Sequence, residues 1–180
     1  MREEIEQWLR LKMVRGKYSA GLVSELTAHY VNRTLHVHMI LDEIANLEGA
    51  AGAKRSMTED AKPLGGPLAG LWHKHFMQPA YIAQNLKNYW TPKRLGRAAR
   101  KYPTEQLLYQ VILGGYAAKA GNAAPNAQPT LTGEWIVYAK QGGCNYYLTL
   151  GLHGHDLSIW ERCKACAAEF PELIILRNAT

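Results

Sequence analysis

The hydrophobic pattern of this chain changes period near residue 130, and that change constrains the fold more than any other feature of its 180 residues. Up to Lys119, outside a stretch over 49–77, apolar side chains recur at three- and four-residue intervals, the signature of amphipathic helices. Over 134–140 and again over 145–152 they alternate, with Gln141-Gly142-Gly143-Cys144 as a turn between them. A two-stranded hairpin is marginal on its own, so this one needs helices to cover it. Asp156 reads as the N-cap of a helix over 156–170, and 173–176, after Pro171, reads as a third strand. The expected fold is α+β: a helical N-terminal part (1–120) packed on a small C-terminal β-hairpin–α–β unit (131–180), in a single domain.

Within the helical part, Ile5, Trp8, Leu9 and Met13 mark a helix over 3–13. A longer helical pattern spans 19–47, with Asn32 to Thr34 polar enough to break it, and Gly49 as its stop. Residues 49–70 read as a loop and 71–77 as an extended lead-in, because Pro79 suits only the first turn of a helix over 79–90. Thr91-Pro92 is an N-cap followed by proline at the first helical position, and Pro103 closes that helix. A last helix over 104–119 would bury Leu107, Leu108, Val111, Ile112 and Tyr116. The small-residue and proline run 121–130 reads as the boundary between the two parts.

Charge is sorted along the chain. Residues 61–104 hold eight Lys and Arg and no Asp or Glu, whereas the formal net charge of the whole chain is +6. Lys93, Arg94, Arg97, Arg100 and Lys101 fall on one face of the 92–102 helix, with Leu95, Ala98, Ala99 and Tyr102 on the other. Like charges at this spacing repel by a few tenths of a kcal/mol per pair, a cost that phosphates lying against the face would offset. The expected partner is RNA or another polyanion, with those five cations as the binding face. The opposite face offers alanines instead of large apolar anchors, which argues against a membrane surface.

Two His-x-His segments supply the candidate chemistry. His73 and His75 flank Lys74 in the extended lead-in and share one side of it, just before the helix start at Pro79, where backbone N–H groups favour an anion. His153 and His155 flank Gly154 where the second hairpin strand meets the last helix. A metal-independent ribonuclease or phosphodiesterase would draw a general base and a general acid from these two pairs, with Lys74 or a nearby arginine stabilising the phosphorane. That reading requires the pairs to converge within roughly 10 Å. The segments resemble the paired His-x-Thr/Ser motifs that two-histidine phosphoesterases carry on strands, with His75 and His155 standing where those have Ser or Thr. Arg33 and His38 have the Arg-x4-His spacing of HEPN ribonucleases. Seven histidines and ten arginines produce such a spacing about once by chance, and His29, His36 and His38 read as polar helix positions.

Two other classes compete. A non-enzymatic module for nucleic acid or an acidic protein would need the cationic face alone. A zinc-dependent hydrolase would use His153, His155, Cys163 and Cys166 as ligands. Against zinc, Ile159, Cys163, Cys166 and Phe170 recur at i, i+4, i+7 and i+11, one apolar helix face, where cysteine behaves as a small hydrophobe. No metal or other cofactor is therefore expected. Three cysteines do not make a disulfide framework, no apolar run reaches membrane-spanning length, and Met1 to Glu6 has no signal-peptide core. A cytoplasmic protein is expected, with a toxin and a processing factor as the roles that fit a small basic nuclease.

Overall fold

The computed structural model describes residues 1–119 and 133–177. In chain order its elements are α1 (Arg2–Lys12), β1 (Lys17–Tyr18), α2 (Ala20–Asn32), α3 (Val37–Glu48), β2 (Lys62–Pro63), β3 (Trp72–Phe76), α4 (Ile82–Tyr89) and α5 (Pro92–Lys101). They continue with α6 (Thr104–Tyr109), α7 (Gly115–Lys119), β4 (Glu134–Gln141), β5 (Cys144–Gly151), α8 (Asp156–Ala165) and α9 (Ile174–Arg177). The protein is α+β. Two compact units emerge: residues 1–56, 60–76 and the described residues from 134 onward make the first, and residues 57–59 with 77–119 and 133 fall in the second. The 121–130 run read as a boundary lies outside the described residues.

The first unit is built on a five-stranded sheet of order β1-β5-β4-β3-β2. The β4–β5 hairpin forms as its alternation requires, with Gly142 and Gly143 at φ 59° and 75°, the left-handed pair that a tight two-residue turn demands. The 71–77 lead-in is the third central strand, β3, antiparallel to β4. Alternation divides the sheet between two cores. Phe76, Ile136, Tyr138, Tyr147 and Leu150 face α1, α2 and α3, where they meet Ile5, Leu9, Leu22, Leu26, Ile40 and Ile44. Trp135, Val137, Tyr146 and Leu148 face the other way, onto Ile159, Cys163, Cys166 and Phe170.

Residues 173–176 do not form a strand. Leu173 and Leu176 donate backbone N–H bonds to the carbonyls of Phe170 and Leu173, and Ile174–Arg177 is a helical turn. The β5 edge where such a strand would have to pair is already occupied. β1 runs parallel to Tyr146 and Tyr147. Beyond it, past a bulge in the β4–β5 register at Val137/Tyr138, Glu25 accepts from the Leu150 N–H at 2.8 Å and Arg162 donates to the Leu150 carbonyl at 2.8 Å. With its backbone groups satisfied, that edge recruits no further strand. The 19–47 pattern does break, at Arg33 (φ 54°), which separates α2 from α3.

In the second unit Thr91 caps α5 by accepting the Arg94 N–H at 3.3 Å, with Pro92 in the first turn. Pro79–Tyr81 is a 3-10 turn that leads into α4. The expected apolar face of 104–119 is only partly realised, because Leu108 and Ile112 are 66% and 47% exposed. A π-turn over Gln110–Gly114 separates α6 from α7. Its i→i+5 bonding breaks the 3.6-residue period on which that face was drawn. Among the described residues no helix is long and apolar enough to cross a membrane.

Candidate functional site

Strand register and the turn after β5 bring His73, His75 and His153 together on one face of the sheet. Among the described residues no ring contact joins His155 to them. His75 is the cross-strand partner of Trp135 and His73 that of Val137, so both imidazoles stand on the α8 side. Trp135 in turn pairs with Gly151 of β5, two residues before His153. The chain leaves β5 through a tight turn in which the His155 N–H bonds the Leu152 carbonyl at 3.2 Å and Gly154 takes φ 80°. His153 is thereby folded back onto Trp135, with ring centroids 4.3 Å apart, and stacked on His75 at 5.4 Å and 23° between planes. His73 meets His75 edge-on at 5.1 Å and Trp135 at 4.7 Å.

The cluster runs from dry interior to solvent. His73 is 9% exposed and His75 5%, whereas His153 and His155 are exposed. Burial, followed by the nearby His75 and His153 charges, pushes the His73 pKa down to about 4, so this ring is neutral at physiological pH. Its Nδ1 and the Trp135 Nε1 are buried without a hydrogen-bond partner. His155 N-caps α8 with no side-chain capping bond. Asp156, expected as that cap, is instead the first helical residue, where its carboxylate suits the helix dipole.

Lys74 stands apart from the imidazoles. Being one residue out of phase with His73 and His75, it points through the sheet to the α3 side. There it is buried at 3.5 Å from Glu43 and donates to Ser56 at 2.8 Å. Stabilising charge on a phosphate bound at the histidines is therefore not a role this geometry gives it. Lys62 is the nearer cation. It pairs with His73 across β2 and β3, and its backbone and charge both act on that ring.

Cys163 and Cys166 lie under the sheet in the core, 0% and 3% exposed, and burial pushes both thiols up in pKa, which keeps them protonated. They are not brought together with the solvent-exposed His153 and His155. Among the described residues no group of three or more His, Cys, Asp or Glu side chains converges as a metal site.

The five cations of α5 are all exposed, and among the described residues none makes an ion pair with a carboxylate. Arg94 is held in place, donating to the Tyr89 carbonyl at 2.9 Å with its guanidinium 4.6 Å from the Tyr89 ring centre.

Sequence reasoning missed Trp135 and Lys62. Trp135 was covered only by the 134–140 strand pattern, although it supplies the surface across which His73, His75 and His153 meet. Lys62 lay in a stretch read as loop, and only strand pairing brings it opposite His73. Comparison with known proteins finds no matching family model, no matching curated protein and no matching solved structure.

Proposed function

We propose that the protein is an RNA-directed, metal-independent phosphodiesterase in which His75 and His153 form the general acid–base pair. The observation that carries this reading is their stacking at 5.4 Å. The stacking brings the two imidazoles close enough for one phosphate to reach both. A phosphate with its two flanking oxygens can bridge that distance through hydrogen bonds of roughly 2.6–3.2 Å. One imidazole removes the proton of the ribose 2′-OH as its oxygen attacks phosphorus. The other protonates the departing 5′-oxygen, leaving a 2′,3′-cyclic phosphate and a free 5′-hydroxyl. Proton transfer needs one ring nitrogen and not a ring face, which is compatible with the 5% exposure of His75. His73, neutral and buried, positions His75, and Lys62 supplies the nearby positive charge.

The test is cleavage of an RNA oligonucleotide in EDTA, with product analysis. The proposal expects a 2′,3′-cyclic phosphate product, no cleavage of the 2′-deoxy analogue, and a loss of at least about 100-fold in His153→Ala. Cleavage that needs a divalent metal, or that survives in His153→Ala, would overturn it.

A further inference from the structure

The second unit contains a hollow that the histidine chemistry leaves unused. It is open to solvent, has a volume of about 340 Å³ and is lined by Tyr89, Trp90, Arg94, Arg97, Ala98 and Lys101. That volume lies at the small end of the range for ligand pockets. We infer that this hollow binds one unpaired nucleotide of a single-stranded nucleic acid, its base against the aromatic side and its phosphates along the Arg94, Arg97 and Lys101 row.

The cationic wall comes from helical spacing. Arg94, Arg97 and Lys101 sit at i, i+3 and i+7 of α5, one face over roughly 10 Å of helix axis. Arg94 is already ordered by the Tyr89 carbonyl and ring. Arg97 and Lys101 have no carboxylate partner among the described residues, so their charge is available to a ligand.

The aromatic wall is fixed from behind. Trp90 Nε1 donates to the Val111 carbonyl at 2.7 Å, and a Cβ at Gly115 would stand 2.4 Å from that same nitrogen. The α7 backbone therefore approaches as closely as only glycine allows. Because its N–H is spent, Trp90 offers a ligand a ring face and no hydrogen bond. Tyr89 packs edge-on to it at 5.1 Å.

The lining holds aromatic faces and cations but no Asp, Glu, Asn or Gln to read a base edge. Stacking on such a surface tolerates any base, and the cations follow the backbone, which is how proteins hold single strands without sequence preference. A duplex keeps its bases stacked on one another and would reach only the cations. The carboxylates of an acidic peptide could pair with the cations but bring no aromatic ring to stack on Tyr89 and Trp90.

The site bears on the proposed RNA-directed activity by naming an unpaired strand as the substrate class, but it is tested without any cleavage. Binding of a fluorescein-labelled oligodeoxythymidylate, which lacks the 2′-OH, is followed by anisotropy across a salt series. The expected results are at least tenfold tighter binding than to a duplex of equal length and a decrease of log K with log salt. The double variant Arg97→Ala/Lys101→Ala should bind at least tenfold more weakly and lose about 1.4 from that slope, at ~0.7 per phosphate contact. Tyr89→Leu and Trp90→Leu should each weaken binding at least fivefold and leave the slope nearly unchanged. Equal affinity for duplex, or full competition by polyglutamate of matched charge, would overturn the inference, as would undiminished binding in the double variant. Loss of RNA cleavage in His153→Ala with this binding intact separates the two sites.

Discussion

Lys74 and Glu43 form an ion pair at 3.5 Å between the sheet and α3, with side chains 4% and 8% exposed, and Ser56 bridges them by accepting from Lys74 at 2.8 Å and donating to Glu43 at 3.0 Å. Two charges so far from water are tolerable only together. Removing one strands the other, at a cost of about 3–5 kcal/mol, whereas replacing both by apolar groups of similar volume is near neutral or stabilising. Lys74→Met should therefore lower the urea unfolding free energy by that amount, and Lys74→Met/Glu43→Leu should restore most of it. RNA cleavage by the double variant should match the wild type, because Lys74 is on the opposite face from His75 and His153.

His73 makes stability depend on pH in a defined window. Its folded pKa, about 4, lies below the ordinary 6.5. Between these values the unfolded chain binds a proton that the folded one refuses, so stability is full above pH 6.5 and declines as pH falls toward 4. The loss is at most about 3 kcal/mol. Denaturant midpoints measured from pH 7.5 to 4 should decline through this window in the wild type. The decline should be clearly shallower in His73→Phe.

Glu48 anchors the link between α1 and β1. One carboxylate oxygen accepts the consecutive N–H groups of Val14, Arg15 and Gly16 at 3.1, 2.9 and 2.8 Å, and the other accepts from Asn145 and Tyr147. Burial alone would raise its pKa, but the bonds from the Arg15 backbone, Asn145, Tyr147 and the Gly16 backbone outweigh that and hold it at about 2. Its contribution is present above pH 4.5 and is lost as pH falls toward 2. Glu48→Gln should cost about 2–3 kcal/mol at pH 7. Gly16→Ala should cost a similar amount, since the new Cβ would lie 2.5 Å from the carboxylate. Thermal denaturation of both variants at neutral pH checks this.

What could be read from the sequence was whatever depends on local period. The hairpin, the Thr91-Pro92 helix start, the break near Arg33 and the buried stripe of Ile159, Cys163, Cys166 and Phe170 each follow from spacing within a few turns. Spacing also placed His73 and His75 on one side of their segment. The same alternation puts Lys74 on the other side, where it pairs with Glu43 and not with the site. Pairing across the sheet was not legible. Nothing local says that 71–77 lies against β4, that Lys62 stands opposite His73, or that Trp135 forms the floor of the cluster. The expected 173–176 strand failed for a related reason: its apolar run suits a buried segment of either kind, and only the occupied β5 edge decides between them.

The most direct measurement of the central proposal is the pH dependence of kcat/KM for cleavage of a ribodinucleotide. With one ring as base and the other as acid, wild type should give a bell-shaped profile, and His153→Ala should lose one limb together with at least about 100-fold of the rate at the optimum. A flat profile, or one whose shape and height are unchanged in His153→Ala, would contradict the assignment of His75 and His153 as the proton-transferring pair.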